Sequence, residues 1–564
     1  MEKSRVGRLI WPALAFLASF YLVPTLRTLA LSVTEPRPGA ENFLHILRAP
    51  VYLEILGNTF VIAAQVAAIC LLLAYPTALF IVARRRAVAD ILMALVIVPF
   101  FTSLLVRNYA WVFLLGAQGA VNRMLQGLGL ARQSLMYNRF GVIVGMTDIL
   151  LPYAVLILVN VLRGLDPLVL RAAVSLGSGP FSLLRCVVLP LSRSGIAASF
   201  ILVFVIGLAF FVTPAMLGSP HETMIANTIS TEVGFLNWGF ATALAILLLV
   251  ATLLIVSLMQ AVFGNLSTIA PSLGGGRPPR AWSVRLLPDR AMTALDRVLD
   301  RVWPAACAMT ASIVLALLIL PILFIIPLSL TSVDYFVFPP PGYSLRWYAS
   351  FFTDERWMAA TGNSLVVAGL TACLTLAIAV PAALAIARTR SRLVSAAYLL
   401  ILSPLIVPTI ITAISLYFFF IRIGLTRSIA GLVLGHTVGA LPIAVVVLVT
   451  AFSDFDWTLE RAALSLGSSR FDAARRVVLP LVLGALVTAA FLAFLSSFDD
   501  LLVALFVGGI RLETLPRLMW ESLQEINPTI AAASTVVTLF VAGLLGVLQL
   551  LRGRLARRFA RSAT

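Results

Sequence analysis

The 564-residue chain is 61% apolar and 12% charged, with a mean hydropathy of +1.03, whereas soluble domains carry about 25% charged residues. That balance excludes a water-soluble globular enzyme and leaves no room for a sizeable soluble domain. The formal charge of +17 would suit nucleic acid. Once alternate loops are assigned to opposite sides, however, most Lys and Arg fall on one side while the acids divide nearly evenly, which is the positive-inside bias of a membrane chain.

In chain order, the first apolar run, Leu9 to Leu31, is too long for a signal-peptide core and lacks a small-residue cleavage site, so it is expected to be a retained span. Apolar runs of about 20 residues recur along the chain, each long enough to cross about 30 Å of hydrocarbon. The expected fold is all-α, with about twelve transmembrane helices. Both termini are expected on the Arg-rich, cytoplasmic side. Cys70, Cys186, Cys307 and Cys373 show no CxxC spacing, and His45, His221 and His436 are equally scattered. No disulfide framework and no bound metal are expected.

The chain is duplicated. Arg171-Ala172-Ala173-Val174-Ser175-Leu176-Gly177 returns as Arg461-Ala462-Ala463-Leu464-Ser465-Leu466-Gly467, and Val187-Val188-Leu189-Pro190-Leu191 returns as Val477-Val478-Leu479-Pro480-Leu481, at one constant spacing. Pro152 and Pro442 keep that spacing. Asn58 with Asn363, Pro76 with Pro381, and Pro99 with Pro404 share a slightly larger one, so only the loop between the third and fourth spans need differ, being longer in the first half. A duplicated chain is what an internal-repeat search seeks first. The expected units are a first repeat at 1–270, a polar cytoplasmic linker at 271–301 containing Gly274-Gly275-Gly276 and Pro278-Pro279, and a second repeat at 302–564. Six spans in each half return the chain to its starting side. The repeats are therefore parallel, related by a two-fold axis along the membrane normal, with the translocation path between them.

The repeated loops run over 163–193 and 453–482, between the fourth and fifth spans of each half on the Arg-rich side. Each reads as a short helix (Leu168 to Leu176 in the first copy), a glycine stop at Gly177, and an amphipathic stretch ending at Leu189-Pro190. Two matched copies point to a docking element rather than an interfacial anchor. These loops resemble the cytoplasmic EAA motif of ABC importer permeases, which carries the coupling helix. The matching residues are Ala172, Ala173, Gly177, Leu189 and Pro190, and again Ala462, Ala463, Gly467, Leu479 and Pro480. Where that motif has Glu, this chain has Arg171 and Arg461, with Glu460 just before the second, and the resemblance implies a partner groove that accepts Arg.

The resemblance further implies two copies of an ATPase subunit on the cytoplasmic side and an external substrate-binding protein. ATP and Mg belong to the partner, because a P-loop needs the lysine of GxxxxGK[ST] and the only lysine here is Lys3. No cofactor and no catalytic residue are expected in this chain.

Within that family the chain resembles the spermidine and putrescine permeases. The segments that carry the likeness are Pro99-Phe100-Phe101-Thr102-Ser103-Leu104-Leu105-Val106-Arg107-Asn108-Tyr109-Ala110-Trp111, Phe210-Phe211-Val212-Thr213-Pro214-Ala215-Met216-Leu217-Gly218 and Ser497-Phe498-Asp499-Asp500. Three acids are read as lying within spans, Asp148 in the fourth and Asp499 and Asp500 in the eleventh. Membrane charge is kept mainly where it is used. They are candidates for a cation path, with pairing of Asp148 or Asp499 to Arg107 as the alternative. Tyr109, Trp111, Phe211 and Trp238 could offer ring faces to an amine. Ferric iron and thiamine are the other substrates considered. An ion-coupled secondary transporter is the competing class, but the acids are not duplicated between the halves, and no paired His, Cys or Ser set supports an intramembrane enzyme.

Overall fold

A computed structural model describes residues 7–102, 104–263, 289–335, 337–389, 391–405, 407–509, 512–522 and 527–562. Ten helices are long and apolar enough to cross a membrane, and two further helix pairs qualify when each bent pair is one span. The first repeat contains α1 (Arg8–Thr34), α2 (Pro50–Val82), the bent α3 (Arg86–Phe100 with Leu104–Gly127), α4 (Arg139–Arg163), α5 (Pro180–Leu208) and α6 (Trp238–Met259). The second contains α7 (Asp289–Ser329), α8 (Glu355–Arg388), the bent α9 (Arg392–Leu405 with Thr409–Ile423), α10 (Ile429–Asp454), α11 (Arg470–Phe498) and α12 (Thr529–Ser562). The bends, 93° in α3 and 96° in α9, fall beside Pro99 and between Pro404 and Pro408, where the missing N–H and the proline ring break the helical ladder.

The linker expected at 271–301 lies largely outside the described residues. Its last part, from Asp289, is helix continuous with α7. Proline also ends less than expected. The stretch before Pro190 does not stop there: Leu184–Val188 widens into a π turn and the helix continues from Leu189 to Leu208. The same happens at Ala474–Val478 before Pro480. An i to i+5 turn makes room for the ring that would otherwise strike the carbonyl one turn back. Asp499 and Asp500 are likewise outside the eleventh span, which closes at Phe498.

Each repeat sends its first helix onto the other repeat. Ile10, Ala13, Leu17 and Tyr21 of α1 share a buried cluster with Ala379, Ala382, Ile401, Leu441 and Val445 of α8, α9 and α10, while α7 packs along α2. Small residues make the contacts close: a Cβ added at Gly195 on α5 would lie 2.4 Å from Val161 on α4. Apolar side chains gain little by leaving lipid, so such close packing supplies much of the association.

The ends opposite the repeated loops are tied by matched polar bonds. Asn58 on α2 donates to the carbonyls of His221 (3.0 Å) and Thr223 (3.4 Å), and Thr59 Oγ1 accepts from Ile225 N at 2.9 Å. In the second repeat Asn363 donates to Glu513 O at 3.0 Å and Ser364 Oγ accepts from Leu515 N at 2.8 Å. The repeated Asn58 and Asn363 thus each hold the chain that follows the fifth span of their half. The second repeat adds a clasp, in which Arg356 donates to both carboxylate oxygens of Glu513 at 2.8 and 2.7 Å and to Glu521 at 3.0 Å.

Hydrogen bonds from Arg356 hold the Glu513 carboxyl below the usual glutamate range. A depressed carboxyl stabilises the fold above its ordinary value of about 4.3 and loses that contribution as pH falls through the lowered folded value. The melting temperature in detergent should therefore fall more steeply on acidification in the native chain than in Glu513→Gln, and parallel pH profiles would contradict the clasp.

Candidate functional site

The two repeated loops fold into helices of matching length and capping. In the first, Pro167–Ser175 is a helix capped by Asp166, whose carboxylate accepts from Leu168 N at 2.8 Å. In the second, Trp457–Ser465 is capped by Asp456 accepting from Thr458 N at 2.9 Å. Hydrogen bonds from the Thr458 hydroxyl and then from its backbone N–H hold the Asp456 carboxyl below its usual range. Both helices end alike, with Ser178 N reaching Ala173 O and Ser468 N reaching Ala463 O at 3.1 Å. The glycine that follows each helix is left-handed, φ +86° at Gly177 and +88° at Gly467, a region only glycine enters cheaply. Caps at both ends make each short helix stiff without help from a core.

Arg171, Ala172, Arg461 and Ala462 are exposed, as are both glycines, while Ala173 and Ala463 are half-buried. Leu176 and Leu466 stand out further, 88% and 87% exposed. These two leucines fell within the repeated strings but were not singled out. Each copy thus bares a large apolar side chain at the same place. Leu189 and Leu479 are partly exposed, and Pro190 and Pro480 half-buried, on the helices that lead away from the loops.

Each lever is anchored to a neighbouring span by different chemistry. Asp300 of α7 accepts from Phe181 N (2.7 Å) and Ser182 N (3.2 Å), Asp296 pairs with Arg185 at 2.7 Å, and Phe181 meets the Trp303 ring edge-on at 5.5 Å. Residues 296, 300 and 303 share one helix face, so the seventh span staples the first loop. In the second, Glu460 pairs with Arg388 at 2.8 Å, and the Arg388 guanidinium lies 4.2 Å from the centre of the Trp457 ring. Glu460 therefore fastens the lever to α8.

The carboxylates expected in a cation path divide into two groups. Asp148 is fully buried, with Arg107 at 3.8 Å, and Trp111 is buried one turn along α3 from that arginine. This is the pairing alternative for Asp148, enclosed within the first repeat. Asp499 and Asp500 follow α11 at the seam. Asp499 Oδ2 accepts from Leu104 N of the first repeat at 3.1 Å, and Asp500 Oδ1 accepts from Val503 N at 2.8 Å. Three aromatics meet the opposite half as well: Tyr109 donates to Met519 O at 3.1 Å, Phe211 packs on Trp520 at 5.3 Å, and Trp238 meets Phe418 at 4.5 Å. Among the described residues no group of three or more potential ligands could hold a metal ion.

Twelve apolar segments in two repeats, each with a stiff exposed loop helix at one end, define an integral-membrane transport subunit. The chain belongs to the family described as the binding-protein-dependent transport system inner membrane component, which matches twice, at residues 58–266 and 376–561. It is 31% identical over 256 residues to the spermidine/putrescine transport system permease protein PotB of Haemophilus influenzae, covering 43% of this chain and 88% of that protein. It is 28% identical over 240 residues to PotC of the same organism (42% and 93%) and 30% identical over 213 residues to the putrescine transport system permease protein PotI of Escherichia coli (36% and 75%). Among solved structures, a chain of a bacterial alginate ABC transporter in complex with an alginate pentasaccharide-bound periplasmic protein is similar, with a TM-score of 0.41, 19% identity, and coverage of 45% of this chain and 91% of that one.

Removing one member of a buried ion pair strands the other charge and costs about 3–5 kcal/mol, whereas replacing both with apolar residues is often neutral. Arg107→Leu and Asp148→Leu should each destabilise the chain by that amount in thermal or denaturant unfolding, and the double variant Arg107→Leu with Asp148→Leu should recover most of it. Additive losses would show that Asp148 is not held by Arg107.

Proposed function

We propose that this chain forms the whole membrane permease of an ATP-driven importer of polyamines, serving two ATPase subunits and an external binding protein. The observation that carries the proposal is the pair of stiff, exposed loop helices. A lever that transmits closure of an ATPase dimer must be rigid along its length, fixed at its base and bare at its tip, and both loops meet those three demands. With the Arg-rich loops placed in the cytoplasm, each ATPase subunit receives one lever. Arg171 and Arg461 then meet a groove on the partner that accepts a guanidinium, and Leu176 and Leu466 fill an apolar pocket in it. Closure of the dimer on ATP draws the levers together. The stapled spans follow, the two repeats part on the outer side, and the substrate passes from its binding protein into the seam.

The substrate reading rests on the resemblance to spermidine and putrescine permeases and on what the seam offers. Asp499 and Asp500 place two carboxylates where the repeats meet, and Tyr109, Phe211 and Trp238 bring ring faces to the same boundary. A di- or tri-cation pairs with the acids and rests on the rings, at energies of roughly 0.5–2 kcal/mol per ring contact. Asp148, being sealed with Arg107, serves the architecture of the first repeat instead. The chain supplies movement and a weak transient path, while selective capture falls to the binding protein.

The test is ATPase activity of the chain reconstituted in lipid with its ATPase, with and without binding protein loaded with spermidine or putrescine. Loaded binding protein should stimulate hydrolysis. Leu176→Asp or Leu466→Asp should weaken ATPase docking on one side by about 2 kcal/mol, roughly thirtyfold, and the double variant should abolish stimulation. Stimulation by a binding protein loaded with ferric iron or thiamine instead would overturn the substrate. No association with any ATPase would overturn the whole reading.

A further inference from the structure

His436 is the buried group that neither the levers nor the acidic seam accounts for. It sits on α10 with its side chain 1% exposed. Its Nδ1 lies 2.7 Å from Ser497 Oγ, and Ser497 Oγ in turn donates to Thr371 Oγ1 on α8 at 3.3 Å. A serine hydroxyl has one proton. Since that proton goes to Thr371, the short contact to His436 is satisfied only when Nδ1 carries the hydrogen and Ser497 accepts it. The neutral ring then has a bare lone pair on Nε2, and Nε2 has no hydrogen-bond partner. It faces Asp500 Oδ1 at 3.9 Å.

His436 Nε2 is a buried acceptor without a donor, and such a group forfeits the hydration it had in water; the Asp500 oxygen facing it accepts from Val503 N at 2.8 Å and keeps a further lone pair. A nitrogen that donates to both would stand about 2.8 Å from each in a charge-assisted bridge, which a 3.9 Å separation accommodates. The donor needs at least two hydrogens and a positive charge to answer the carboxylate. A primary ammonium group has both. Asp500 is 28% exposed and lies one residue from Asp499, whose carboxylate touches the first repeat.

We infer that His436 Nε2 and Asp500 Oδ1 form a subsite for a primary ammonium group of the transported cation, with Ser497 and Thr371 as positioning residues that fix the tautomer of the histidine. This deepens the polyamine reading and rests on it. The subsite belongs to the second repeat alone, because His436 and Asp500 stand where the first repeat has Met146 and Phe210. One end of a diamine would be gripped on one side of the seam while its chain lies across the ring faces of the other.

Diethyl pyrocarbonate acylates an unprotonated imidazole nitrogen, and the three histidines are separable by peptide mass spectrometry. The full chain with its ATPase, in lipid nanodiscs, would be labelled with and without putrescine, under ATP-free and ATP-bound conditions, beside uptake of putrescine into proteoliposomes. Putrescine at ten times its dissociation constant should slow labelling of His436 about tenfold by mass action, leaving His45 and His221 unchanged. Asp500→Asn should abolish that protection. Ser497→Ala should weaken it, since the ring is then free to place its hydrogen on Nε2, and Ser497→Thr should restore it. Uptake by the native chain without protection at His436 would overturn the subsite while leaving the polyamine reading intact. Protection without uptake would support the subsite and count against polyamine transport. Should the reagent, which is bulkier than an ammonium group, reach His436 in no state, putrescine uptake by His436→Leu decides: a raised KM supports the subsite, and uptake unchanged from the native chain overturns it.

Discussion

The structure depends on a small piece of backbone chemistry repeated twice: an aspartate at the start of a nine-residue helix and a left-handed glycine just beyond its end. A helix of this length is marginal in water, because nucleation costs more than its few hydrogen bonds return. Capping removes much of that cost at one end, and the glycine closes the other without a steric penalty. The result is a lever that holds its shape while standing clear of the membrane bundle. If it frayed, movement of a partner would be absorbed in the loop instead of reaching the spans.

Stiff levers matter only if their bases are fixed, and the two bases are fixed unequally. The first rests on two aspartates and a tryptophan of the helix that opens the second repeat, so that joining the repeats in one chain also builds the anchor. The second rests on one glutamate, one arginine and a tryptophan from its own repeat. Exchange of α1 and α7 between the halves binds the repeats at their outer flanks. The seam itself includes the polar contacts of Leu104 with Asp499 and of Tyr109 with Met519. In the cycle proposed above, parting the seam would break those contacts while the flanks stayed packed.

Much of this was legible in the sequence. The lever helices were, because a short helix stopped by a glycine is a local signal and the duplication repeats it, whereas the capping Asp166 and Asp456 emerged only with the structure. The repeated Asn58 and Asn363 were visible as a pair, yet their task appeared only when the carbonyls they bind came into place from more than a hundred residues away. Continuation of the helix through Pro190 and Pro480 was hidden, because the π turn that admits the ring has no composition of its own. The pairing of Arg107 with Asp148 was foreseen only as one option, since apolar runs fix that a helix crosses the membrane without fixing which neighbour it meets. His436 was set aside as one of three scattered histidines. Its site is assembled from three helices, and sequence spacing carries no trace of that.

The most direct test of the account is the mass of the assembled complex. Native mass spectrometry of the chain purified with its ATPase from lipid should show one copy of this chain with two ATPase subunits, because one polypeptide presents both levers. A complex with two copies of this chain for two ATPase subunits would mean that only one lever in each chain is used, and would contradict the account.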